Sequence, residues 1–190
     1  MPRSPDRPHR PPHPVDQLAA EHRVLAAVLG AMSDEDRRLQ SFDVRLDFWV
    51  AVLEWLELFA DQDHHEREEL VLFPELARAG LGAEHGPMQQ VRVEHERARA
   101  VRGTMVQALA TQDAPGLRRA AADYARQLRE HIEHEERVLW PLALEVLDDA
   151  AVARVHEGFA AHAAALGDER RRRAAALQRL LVPAVGQAGG

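Results

Sequence analysis

The sequence predicts an all-α protein: an up-down-up-down four-helix bundle with an additional C-terminal helix. Three observations predict it. Apolar residues recur at three- and four-residue intervals along extended stretches. No run alternates apolar with polar residues as a half-buried strand does. The breaks between periodic stretches are short and marked by Pro, Gly or Asp.

In chain order, residues 1–14 hold six of the eleven prolines together with Arg3, Arg7 and Arg10. With almost nothing apolar to bury, they read as a disordered, weakly basic tail. Asp16 is placed to cap a first helix reaching about Met32, with Leu18, Leu25, Val28 and Leu29 as its apolar stripe. Polar Ser33 to Gln40 breaks the pattern. A long second helix spans about Phe42 to Ala79, stops at Gly80 and is expected to kink near Pro74. Gly86-Pro87 opens a third helix to about Thr111, and Asp113 with Pro115 opens a fourth to about Leu147. A fifth covers roughly 150–181. The domain organisation expected is a tail (1–14), a bundle (15–149) and a C-terminal helix with its tail (150–190).

Composition excludes several classes of function. With 24 Lys+Arg against 31 Asp+Glu, the net charge of −7 is unsuited to general nucleic-acid binding. No cysteine is present, which removes disulfides, thiol nucleophiles and Cys-ligated clusters. No apolar run approaches the roughly 18 residues of a membrane span, and the N-terminus lacks the apolar core of a secretion signal. A cytoplasmic location without membrane association is the expectation.

Eleven histidines remain, and their spacing carries the chemistry. His64–Pro74 (HHEREELVLFP) and His131–Pro141 (HIEHEERVLWP) align without a gap at an offset of 67, with seven of eleven positions identical. In each, a histidine precedes a glutamate by four residues, which places both on one helix face. One such pair is an ordinary surface contact; two in the same apolar frame, with the same proline, need another reason. Glu21-His22 and Glu94-His95 complete the pattern on the other two helices. The order EH, HxxxE, EH, HxxxE is that of a duplicated helical hairpin. Folded as a bundle, it brings His22, His64, Glu68, His95, His131 and Glu135 together around a pseudo-two-fold axis.

Imidazole and carboxylate without sulfur suit iron, manganese or zinc. A single zinc is saturated by three or four ligands, so two equal half-sites fit two metals better. Two bridging glutamates, four histidines and a shared oxo or hydroxo bridge leave coordination positions free for an exogenous small molecule. The ferritin-like carboxylate class instead puts Glu three residues before a ligand histidine; here those positions are Ala19, Asp61, Arg92 and Leu128.

On His22, on His64 and Glu68 in HHEREELVLFP, on His95 in VEH, and on His131 and Glu135 in HIEHEERVLWP, the chain resembles the hemerythrin-like (HHE cation-binding) family over roughly residues 15–147. The resemblance implies a four-helix bundle around two non-haem iron ions bridged by carboxylates. It implies O2, peroxide or NO as the small ligand, in a protein that binds or senses it. Alternatives within the family are a di-iron peroxidase or NO-consuming stress-defence enzyme, and an iron- or oxygen-responsive regulatory module. Oxygen-carrying members have a further histidine four residues before the one matching His95; here Val91 stands there. That departure favours peroxide or NO chemistry, or sensing, over simple O2 carriage.

The remaining candidates are weaker. Glu57 and Tyr124 each lie seven residues before a ligand histidine, as pocket candidates above the metals. His65 and His134 are rotated about 100° and 60° off the ligand face on a regular helix. Glu69 and Glu136 read as surface groups or hydrogen-bond partners. His85, His156 and His162 have no partner in the repeat, and Arg170 to Arg173 read as a solvated face.

Overall fold

Prolines and aspartates set the helix starts. The computed structural model describes residues 12–39, 45–82 and 86–182. In it, α1 is Pro14–Leu39, α2 covers 46–78, α3 is Pro87–Ala110 and α4 covers 114–146. Asp149–Leu166 forms α5 and Asp168–Leu181 forms α6. Among the described residues there is no strand. Asp113 Oδ1 accepts from the Gly116 amide at 2.9 Å and Asp148 Oδ1 from the Ala151 amide at 2.7 Å, capping α4 and α5. Gly80, at φ 100°, ends α2 with the paired bonds Leu81 N–H to Leu76 O and Gly80 N–H to Ala77 O.

Two boundaries differ from expectation. The polar stretch after Met32 stays helical to Leu39, because tertiary ion pairs hold it: Arg45 Nε donates to buried Glu35 at 3.0 Å and Arg118 to Asp36 at 3.0 Å. The single fifth helix is two, since Gly167 at φ 85° turns the chain between α5 and α6. The proposed tail falls mostly outside the described residues: nothing is described before residue 12, and α1 already starts at Pro14.

α3 and α4 pair as one hairpin, α1 lies against α4 and α2 against α3, and α5 and α6 cover the α1–α2 side. The apolar stripes form two clusters. One gathers Leu25, Leu29, Trp55, Met105, Tyr124 and Leu128; the other gathers Leu18, Leu72, Phe73, Val91, Leu139 and Trp140. The helices α2 and α4 are not uniformly wound. Glu68–Leu72 and Glu135–Leu139 are π-helical and end two residues before Pro74 and Pro141. A proline ring clashes with the carbonyl four residues back and donates no hydrogen bond; a wider turn relieves both problems. The kink expected near Pro74 is therefore a π turn, and Phe73 and Trp140 donate to the Glu68 and Glu135 carbonyls, five residues back. Among the described residues, a longer π stretch, Leu56–His65, occurs in α2 alone.

Candidate metal centre

Each bundle helix brings one of the four histidines of the repeat to the polar layer between the two apolar clusters: His22, His64, His95 and His131, from α1 to α4. All four are buried, as are Glu68 and Glu135. His22 Nε2 lies 3.1 Å from His64 Nε2 and 3.1 Å from Glu135 Oε2. His64 Nε2 is 3.5 Å from Glu68 Oε1, and His95 Nε2 is 3.4 Å from Glu68 Oε2. His131 Nε2 is 3.5 Å from Glu135 Oε2. The donor atoms fall into two groups, His22/His64/Glu68/Glu135 and Glu68/His95/His131/Glu135, each within 4.8 Å. Both glutamates belong to both groups.

The outward nitrogen of every ring meets a carboxylate. Nδ1 of His64 is 2.8 Å from Glu21 and that of His131 is 3.2 Å from Glu94. Nδ1 of His22 is 3.1 Å from Glu136 and that of His95 is 2.7 Å from Glu69. A carboxylate at Nδ1 favours a proton there and leaves Nε2 as a lone pair aimed inward. The pattern obeys the repeat: the glutamate of each EH pair serves the HxxxE histidine of its own hairpin, and the second glutamate of each EE pair serves the opposite hairpin. Rings are backed the same way, with His22 stacked on Trp140 at 4.4 Å and His95 over Phe73 at 6.4 Å.

This polar layer is unbalanced on its own. Both oxygens of Glu68, both of Glu135, and Nε2 of His95 and His131 are buried without a hydrogen-bond partner. Burial, then the charge of Glu135, pushes the Glu68 carboxyl well above the usual carboxylate range. Burial opposes charge on Glu135 too, but His131 and His22 outweigh it and hold that carboxyl low. Burial, then neighbouring imidazoles, pushes His64 and His95 well down, so both are neutral donors. Burial opposes charge on His131 as well, but Glu135 and Glu94 raise it. Inward lone pairs and orphaned carboxylate oxygens at one point are the donor set of a hard or borderline cation.

The model of the hemerythrin HHE cation-binding domain matches residues 13–143. The chain belongs to that family. No curated protein and no solved structure matches it.

The hemerythrin domain places the remaining candidates as follows. Glu57 does not line the centre: it is exposed and pairs with Arg102 at 3.3 Å. The seven-residue spacing fails because the π winding from Leu56 alters the helix phase. Tyr124 is fully buried in the apolar cluster and its hydroxyl has no hydrogen-bond partner; burial, then Asp61, raises its pKa. His134 contacts Glu94 from the side, Nδ1 to Oε2 at 3.3 Å. Val91 is buried in the apolar cluster with Met88 and Phe73. His65, expected off the ligand face, is fully buried and stacks on His95 at 4.0 Å. His85 lies outside the described residues. Glu21, Glu94 and Asp61 face ring nitrogens from outside the predicted donor set; the repeated EH dipeptide is the sequence signal for the first two. No helix among the described residues is long and apolar enough to cross a membrane.

Proposed function

We propose that this hemerythrin domain holds two iron ions and uses them to bind or sense a small oxidant or diatomic: O2, peroxide or NO. His22 and His64 would hold one ion, His95 and His131 the other, with Glu68 and Glu135 shared between them. The observation that carries this reading is the pair of donor groups joined through the same two buried glutamates, each with orphaned oxygens. Iron supplies there a reducible ion with exchangeable coordination positions. The protein's own part is to orient four imidazoles through their Nδ1 carboxylates, to hold His64 and His95 neutral by burial, and to keep bulk water out between apolar clusters. The ligand class follows from that enclosure: with His131, at 3% exposed, the most accessible of the six donors, only small molecules reach the centre. A surface cavity of about 330 Å³ lined by Glu94, Arg97, Arg126, Gln127, Glu130 and His131 abuts this edge.

Anaerobic loading with ferrous iron, metal analysis and optical spectra with O2, peroxide and NO in turn test the proposal. The expected result is close to two irons per chain and a spectral change with at least one of the three. A stable, fully folded protein that takes up no iron would overturn it. Peroxide turnover abolished by Glu135→Ala would make the protein a peroxidase rather than a binder.

A further inference from the structure

We propose that His65 is a fifth imidazole ligand, serving the ion between His95 and His131. The inference deepens the two-ion reading and rests on it. One ring nitrogen each of His65, His95 and His131 lies within 4.8 Å of the others. The Nε2 atoms of all three are buried without a hydrogen-bond partner, and the rings of His65 and His131 meet edge-on at 5.5 Å.

The outward side of the ring also faces a carboxylate, as in the other four histidines, but at a separation that leaves His65 Nδ1 without a hydrogen bond. His65 Nδ1 stands 3.5 Å from Asp61 Oδ1, the longest of the five such approaches, and Asp61 is itself fixed by Arg102 Nε at 2.8 Å. Carboxylate outside, lone pair inside is the arrangement that orients a metal-bound imidazole. A histidine kept only for packing would need a hydrogen-bond partner, because a buried ring nitrogen without one is costly, and neither nitrogen of His65 has one.

The repeat supplies an independent argument. Applying the offset of 67 to Asp61 and His65 gives Leu128 and Ile132, two apolar residues that fill the equivalent space on α4. The polar pair therefore exists on one side of the pseudo-two-fold axis only. It coincides with the π stretch Leu56–His65, which α4 also lacks and which changes the phase of α2 just before His65. Three imidazoles then hold one ion and two hold the other, so the two ions are inequivalent.

The test gives α2 what α4 already carries: the double variant Asp61→Leu/His65→Ile, beside His65→Gln, which keeps a hydrogen-bonding group for Asp61. Each is loaded anaerobically with ferrous iron, challenged with a chromophoric chelator and compared by Mössbauer spectroscopy, with far-UV circular dichroism as the check on folding. Loss of an outer partner of a metal ligand alone weakens binding about 10–100-fold, so both variants should hold one ion at least about tenfold more weakly. The two distinct iron signals of the wild type should collapse toward one. Variants that keep both ions with unchanged affinity and spectrum would overturn the inference while leaving the two-ion reading intact. A wild type that binds one ion overturns the two-ion reading alone if His65→Gln still weakens that ion, and both if it does not. A wild type that binds none overturns both.

Discussion

At the scale of single residues, Glu68 is the group whose two states conflict most. Buried between His64 and His95 and close to Glu135, it is pushed toward the protonated form in the metal-free fold, whereas facing a cation favours the carboxylate. Glu68→Gln is therefore expected to act in opposite directions on the two forms. The amide keeps the shape and is neutral at every pH. A raised folded pKa means that the wild type loses stability as pH rises above about 4.5; the variant escapes that loss. Metal-free Glu68→Gln should be more stable at pH 7 by at least about 1 kcal/mol, the worth of roughly one pKa unit. The gain should vanish near pH 4.5, and the variant's response to iron should be lost. Thermal melts of both proteins with and without ferrous iron check it; an apo variant less stable than wild type at pH 7 would contradict it. Glu21, facing Nδ1 of His64 and held by Arg67 at 2.6 Å, acts only through orientation. Glu21→Ala is expected to weaken iron binding about 10–100-fold with both ions still detectable at saturation, as chelator competition will show.

At the scale of elements, the prolines and the glutamates of the repeat belong to one device. Pro74 and Pro141 stand six residues after Glu68 and Glu135 and force the turn around each glutamate into π winding. Pro141→Ala removes the clash and restores an N–H, so the turn can relax to regular α-helix and shift Glu135 relative to His131. The expected outcome is an apo protein as stable as wild type or more so, with iron affinity reduced at least tenfold. Unchanged affinity in chelator competition would show that the π turn does not need its proline. α5 presses on this same region: a Cβ on Gly158 would come within 2.4 Å of Val71 Cγ1. Gly158→Ala should cost about 1–3 kcal/mol through overpacking, read as a lower denaturation midpoint at unchanged m-value. This scale also marks what the sequence could reveal. Helix order, the Gly80 stop and the six-residue donor set follow from periodicity and from the 67-residue repeat, both local signals. The inward turn of His65 and the outward turn of Glu57 do not, because a wheel drawn at about 100° per residue presumes the α winding that Leu56–His65 abandons. The extension of α1 to Leu39 was equally hidden, since it depends on Arg45 and Arg118, which lie beyond that stretch in the chain.

At the scale of the whole molecule, the centre joins all four bundle helices, so binding of the proposed iron ions would be linked to folding stability. Ions present at 100 times their dissociation constant add about 2.7 kcal/mol per site. One such contribution raises Tm by roughly 5–10 °C in a chain of this size. The size of that rise should depend on pH, and the sign follows from the groups that change protonation. Glu68 and His131 both have raised folded pKa values, so each tends to hold a proton that a cation must displace. His64 and His95 have lowered values and are already neutral, so they release none. Binding thus expels protons from Glu68 and His131, and each proton expelled makes affinity rise by up to about tenfold per pH unit. The metal-free fold moves in both directions meanwhile: Glu68 destabilises it as pH rises, whereas His64 and His95 destabilise it as pH falls below about 6.5, where the unfolded chain takes up more protons than the folded one. The difference in Tm between iron-loaded and metal-free protein isolates binding from these effects. It is expected to widen steadily from pH 5 to pH 8, and scanning calorimetry of matched anaerobic samples at each pH measures it. A difference that stays constant over that range would mean that Glu68 and His131 give up no proton to the ions, and hence that they do not face them.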